Sequence, residues 1–119
     1  MESGTLFNGE ITVTDTTATV VPLYGPDRKR LAINETDRVI VSDVCISPSA
    51  DSTLDLFFST STDIPTGGKI VSVDAAAKGG INQQFANEHW GLPGESVYFK
   101  AGSAVTCRVS VRGRLISRA

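Results

Sequence analysis

Ala104-Val105-Thr106-Cys107-Arg108-Val109-Ser110-Val111-Arg112-Gly113-Arg114-Leu115-Ile116 places an apolar or small residue at every second position. A period of two describes a β-strand with one dry face, Val105, Cys107, Val109, Val111, Gly113 and Leu115, and one wet face carrying Arg108, Arg112 and Arg114. At roughly 3.3 Å per residue the run extends about 35–40 Å. That length crosses a small domain and allows pairing on both sides, so this is the expected central strand.

Upstream, Ser96 to Lys100 alternates Val97 and Phe99 with Ser96, Tyr98 and Lys100, and Ala101-Gly102-Ser103 turns the chain into the central strand. Ile81 to Phe85 predicts another short strand, followed by an ordered loop over Ala86 to Glu95. Arg38 to Ser47 is rich in β-branched residues on both parities, which predicts a strand buried on both faces or kinked by a bulge near Ser42-Asp43. Thr53 to Ser59 alternates Leu54, Leu56 and Phe58 against Asp55 and Phe57. Joined to the preceding run by Pro48-Ser49-Ala50-Asp51-Ser52, it reads as the second arm of an antiparallel hairpin.

Lys69 to Ala76 contributes Ile70, Val71 and Val73, and Ala75-Ala76-Ala77 could begin one helical turn before Lys78-Gly79-Gly80 stops it. Nearer the N-terminus, Glu10 to Thr14 and Ala18 to Tyr24 are two β runs separated by Asp15-Thr16-Thr17. Pro22 cannot donate a ladder hydrogen bond, so the second run belongs at a sheet edge or stops there. Gly25-Pro26-Asp27 turns, and Arg28 to Ile33 is a further short strand. Residues 1–9 are polar and glycine-containing apart from Leu6 and Phe7, which reads as an arm that could tuck against a neighbouring subunit.

About eight short strands with a turn signal every 8–12 residues, and no segment of helical period, predict a two-sheet antiparallel sandwich of jelly-roll or immunoglobulin-like kind. The length of 119 residues suits one domain with one core. An apolar fraction of 40% and a charged fraction of 20% are ordinary for a globular chain. No apolar run approaches the roughly 20 residues of a spanning helix. Met1-Glu2-Ser3-Gly4-Thr5 lacks a basic region leading into an apolar stretch, so no secretory signal and a reducing cytoplasm are the expectation.

A formal net charge of −2 provides no general electrostatic reason to bind nucleic acid. Arg108, Arg112 and Arg114 nevertheless share the wet face of the central strand, with Arg118 following. They are either solvated or salt-bridged arginines, or a docking face for an acidic protein partner.

Catalytic chemistry finds few candidates. His89 is the single histidine, and it stands before Trp90-Gly91-Leu92-Pro93-Gly94, a composition that backbone shape explains. No nucleophile-elbow, phosphate-loop or dinucleotide-binding pattern is present. Cys45 and Cys107 fall in strands expected to be buried, where they could face each other across the core as small hydrophobic thiols. With only His89 to join them, a zinc site is not expected, and the scattered carboxylates lack calcium-loop spacing. Asn34-Glu35-Thr36 matches the glycosylation sequon, which means nothing without a signal peptide. Trp90 either closes one end of the sandwich or, if exposed beside polar groups, forms a sugar-stacking platform.

The order of features carries a resemblance. Val39 to Ile46, the run Leu54-Asp55-Leu56-Phe57-Phe58-Ser59, the small-residue tract Val73 to Gly80, Phe85, Trp90-Gly91, Gly94-Glu95-Ser96 and the closing Val109 to Leu115 follow one another. In this order the chain is similar to the small jelly-roll proteins encoded in the head-gene region of tailed bacteriophages, over roughly Asp27 to Ile116. The resemblance implies a capsid decoration or cement protein with a single jelly-roll domain over residues 15–119, preceded by an arm and first strand over 1–14. Such a protein would be non-enzymatic, with no cofactor, metal or small-molecule substrate and no nucleic-acid or membrane partner. It would be made in the host bacterial cytoplasm, self-associate as a trimer first or a dimer second, and bind the major capsid protein on the outer surface of the virion.

On this reading Leu6, Phe7, Arg108, Arg112 and Arg114 are the expected capsid contacts, and Phe85 and Trp90 the expected self-association or loop anchors. A carbohydrate- or receptor-binding domain of a phage fibre or spike would use the same sandwich.

Overall fold

The structure, a computed structural model, describes residues 4–60, 69–75 and 81–116. Among the described residues there are nine strands, β1 (Thr5–Val13), β2 (Thr19–Val20), β3 (Leu23–Tyr24), β4 (Arg38–Pro48), β5 (Ser52–Ser59), β6 (Lys69–Ala75), β7 (Ile81–Trp90), β8 (Ser96–Ala101) and β9 (Cys107–Ile116). They form a five-stranded sheet, β3-β1-β9-β4-β7, and a four-stranded sheet, β2-β8-β5-β6, with every described pairing antiparallel. The pairing is nested. The first strand lies beside the last, β2 beside β8, β4 beside β7, and β5 beside β6.

β9 holds the centre of its sheet as its alternation predicts, paired with β1 from Cys107 to Leu115 and with β4 from Cys107 to Ile116. Its dry face is buried: Cys107, Val109, Val111 and Leu115 pack with Val39, Val41, Val44 and Ile46 of β4 in one cluster. Leu54, Leu56 and Phe58 of β5 and Val97, Phe99 and Ala101 of β8 close that cluster from the other sheet. The two sheets therefore share a single core, the arrangement of a β-sandwich.

Gly113 marks the tightest point. A Cβ added there would strike the Ile40 carbonyl oxygen and lie 2.9 Å from Phe7 Cζ. Phe7, directly across the ladder from Gly113, takes the space that a side chain would need.

Several expectations change. Residues 5–9, expected within an arm, join the expected run from Glu10 in one continuous strand, because its alternation extends backwards through Gly9 and Phe7 onto β9, while residues 1–3 of the expected arm lie outside the described residues. Phe7 is only 5% exposed and belongs to the core. Ala18 to Tyr24 divides at Val21-Pro22 into β2 and β3, which lie at the edges of different sheets. Arg28 to Ile33 retains only a bridge between Arg30 and Tyr24.

β4 and β5 are not a hairpin but belong to opposite sheets, since β9 and β7 already flank β4, and β8 and β6 already flank β5. The segment Ala86 to Trp90, expected as loop, continues β7. As an edge strand with both faces largely wet, it shows no apolar alternation to betray it. Most of the expected helical turn over residues 75–77 lies outside the described residues.

A bulge between Val41 and Asp43 keeps Val41 and Val44 both facing the core. It turns Cys45 outward, so Cys45 is exposed while Cys107 is buried, and the two thiols occupy opposite faces of the sheet.

Val109→Asp should abolish the folded state, because an unpaired carboxylate in this core costs several kcal/mol out of a typical stability of roughly 5–15 kcal/mol. A normal cooperative melting curve for that variant would overturn the face assignment of β9. Gly113→Ala, a change of one methyl group, should destabilise by about 1–3 kcal/mol in chemical denaturation through overpacking against Ile40 and Phe7.

Candidate functional site

The wet side chains of the five-stranded sheet fall into cross-strand rows, because antiparallel partners project to the same face. One row runs Leu6, Arg114, Ile40 and Trp90 across β1, β9, β4 and β7. Next come Asn8, Arg112, Asp43 and Gln84, then Glu10, Ser110, Cys45 and Asn82, and finally Thr12, Arg108 and Ser47. The first row is amphipathic and the others are polar.

Ile40 is fully buried yet lies outside the inter-sheet core, so it is covered from the outer side. Its row neighbours, Arg114 and Trp90, form that cover. The Arg38 guanidinium carbon lies 5.1 Å and that of Arg114 5.9 Å from the Trp90 ring centroid, both within cation–π range. Arg114 also bridges Glu88 at 3.0 Å, and Arg38 Nε donates to the Gly91 carbonyl at 2.9 Å. Trp90 remains 47% exposed, and Leu6, at the far end of the row, 69%.

Two short loops at this end of the sandwich are held by buried carboxylates. Asp37 Oδ2 accepts from the Asn34 amide at 2.9 Å, and Glu95 Oε1 from the Leu92 amide at 2.7 Å. The Gly94 amide donates to the Asp37 carbonyl, tying one loop to the other, and Gly94 adopts a φ of 84° that favours glycine. Leu92, 57% exposed, is thus presented on a braced loop. Leu6, Trp90 and Leu92, with Arg38 and Arg114 among them, make a corner of apolar and guanidinium surface.

The structure brings Leu6, Arg114 and Trp90 into one row and sets Arg112 and Arg108 in the rows behind. Phe7 is not part of this surface, because alternation along β1 sends it inward. Phe85 is half-buried, its ring edge-on to His89 at 4.4 Å and packed against the core. Sequence reasoning missed Arg38, Glu88 and Leu92. Of these only Arg38 carries a signal, as the residue that opens a β-branched run.

Among the described residues no group of three or more His, Cys, Asp or Glu side chains comes together. Burial raises the Cys107 thiol above its ordinary value of 9.0. Compared with known protein families, curated proteins and solved structures, the chain shows no significant match.

An aromatic disulfide reagent should label Cys45 rapidly and Cys107 only at the rate of unfolding, so one thiol per chain reacts in native buffer and both in denaturant. Rapid labelling of both in native buffer would contradict the inward placement of Cys107. Because the folded Cys107 thiol keeps its proton to higher pH than the unfolded one, its contribution to stability is intact below 9.0 and declines as pH rises through and beyond that value. Denaturation titrations of Cys107→Ala should lack that part of the alkaline loss.

Proposed function

We propose that this chain is a non-enzymatic structural protein of a phage virion, a decoration or cement protein that self-associates and binds the outer surface of the head shell. The observation that carries the reading is the corner formed by Leu6, Arg38, Arg114, Trp90 and Leu92, an exposed aromatic and two leucines interleaved with arginines on braced backbone. Trp and Arg are the residue types over-represented at protein–protein hot spots, and rigid presentation reduces the ordering cost of association. A lattice-binding protein gains its strength from many copies, so a patch of this size suffices for each subunit.

Strand order supports a jelly-roll reading of the sandwich. Pairing the first strand with the last, and so inward to the β5–β6 hairpin, is what results when one long antiparallel ribbon rolls up so that its halves alternate between two sheets. β3 is then a two-residue addition outside β1. Assembly as a trimer, or failing that a dimer, with closed symmetry would present several such corners to the shell together.

A carbohydrate- or receptor-binding domain of a phage fibre or spike is the second reading. The exposed Trp90 ring with Arg38, Arg114 and Glu88 beside it favours that alternative.

Sedimentation of the purified chain, alone and mixed with empty phage-type shells, tests the proposal. A defined oligomer that pellets with shells at fixed stoichiometry is expected. Trp90→Ala should weaken that association by at least about tenfold, typical for a hot-spot truncation, while the chain still unfolds cooperatively at a lower midpoint, since the ring also covers Ile40. A monomer that ignores the shells would overturn the decoration reading.

A further inference from the structure

Behind the corner, the polar rows of the same sheet face form a continuous trough. Depressions of about 410 Å³ and 510 Å³ share Cys45 and Ser110, and a third of about 340 Å³ shares Glu10 with the second and reaches Tyr24 on β3. With strands about 4.8 Å apart, the trough crosses the sheet from β3 to β7 over about 19 Å. Its lining mixes polar side chains with apolar surface from Ile11, Val44 and Val109, and carries both signs of charge.

These polar groups are not used by the fold. Asp43 and Arg112 are directly opposed across β4 and β9, yet they form no ion pair. Among the described residues, the side chains of Glu10, Asn82, Gln84 and Arg108 likewise engage in no hydrogen bond or ion pair. At the β3 end the Tyr24 ring is 37% exposed beside Asn8. Arg28 stands next to it, in a left-handed backbone conformation with φ of 64°, its amide bonded to the Gly25 carbonyl at 2.9 Å.

We propose that this trough binds a neutral, hydroxyl-rich oligosaccharide. Carboxylates offer paired acceptors, guanidinium groups paired donors and carboxamides a donor beside an acceptor, which suits the paired hydroxyls of a sugar ring, and the Tyr24 ring offers an apolar platform to a pyranose face. Glu10 and Asp43 stand against Arg28, Arg108 and Arg112, an excess of one positive charge that is small for a polyanion site such as one for nucleic acid. Openness of the trough to solvent fits a ligand that runs along the surface. The inference does not depend on shell binding, because it concerns the isolated chain and a different part of the sheet.

Amide chemical-shift mapping of the isolated chain, titrated separately with cellohexaose, maltohexaose, chitohexaose and hexagalacturonate at up to millimolar concentrations, tests it. Saturable shifts caused by a neutral hexasaccharide, clustered at residues 8–10, 43–45 and 82–84, are the expected result. Tyr24→Ala and Gln84→Ala should each weaken that binding by about tenfold with unchanged melting curves, and Trp90→Ala should not affect it. Three results would overturn the proposal: no shifts with any neutral hexasaccharide, shifts centred on the Trp90 corner, or binding of hexagalacturonate alone that salt abolishes. Since no shells are present, failure here leaves the sedimentation result untouched, and the converse also holds.

Discussion

The double pairing of β9 is the constraint on which the rest of the structure depends. A strand with ladders on both sides has no free backbone edge, and its side chains are committed in register to the partners it meets on β1 and β4. Once Val109 and Val111 face the core, Arg108, Ser110 and Arg112 must face outward, because a slip of one residue would exchange the two sets and bury the arginines. The same register sets Phe7 against Gly113 and Leu6 against Arg114. Core and outer surface are thus consequences of one alignment.

Two irregularities adjust that alignment. The bulge at Ser42-Asp43 lets β4 contribute apolar side chains to the core on either side of it, at Val41 and Val44, and turns Cys45 to the outside. On β7 the residues between Gln84 and His89 have only Ser42 opposite them, so the edge strand bows away from the sheet. An interrupted edge is a poor template for a further strand, which protects an otherwise exposed ladder from edge-to-edge association.

The outer face divides by chemistry along the strands. At one end the side chains engage one another: Arg38 and Arg114 with the Trp90 ring, Arg114 with Glu88, and Ile40 beneath. Farther along, charged and carboxamide groups stand without protein partners among the described residues. A corner that is internally paired and partly apolar suits protein contact, whereas unpaired polar groups around a depression suit a ligand that supplies its own hydrogen bonds. The corner rests on strands and on loops tied by Asp37 and Glu95, and the trough on strands and the Gly25–Arg28 turn.

Period and turn chemistry in the amino-acid sequence determined the all-β class, the central place of the last strand, which begins at Cys107 and not at Ala104, the break at Pro22 and the shared outward face of Arg108, Arg112 and Arg114, and left a bulge near Ser42-Asp43 as one of two readings of β4. These are local properties, legible because alternation and φ restriction act over a few residues. Which strands lie beside which was settled only by tertiary structure: whether β4 and β5 form a hairpin or face each other depends on β8 and β9, tens of residues away. Phe7 went unread as core because the glycine opposite it stands more than a hundred positions later. Trp90, Arg38 and Leu92 became neighbours only when an edge strand and two loops met, and no spacing in the chain encodes a contact made across a sheet.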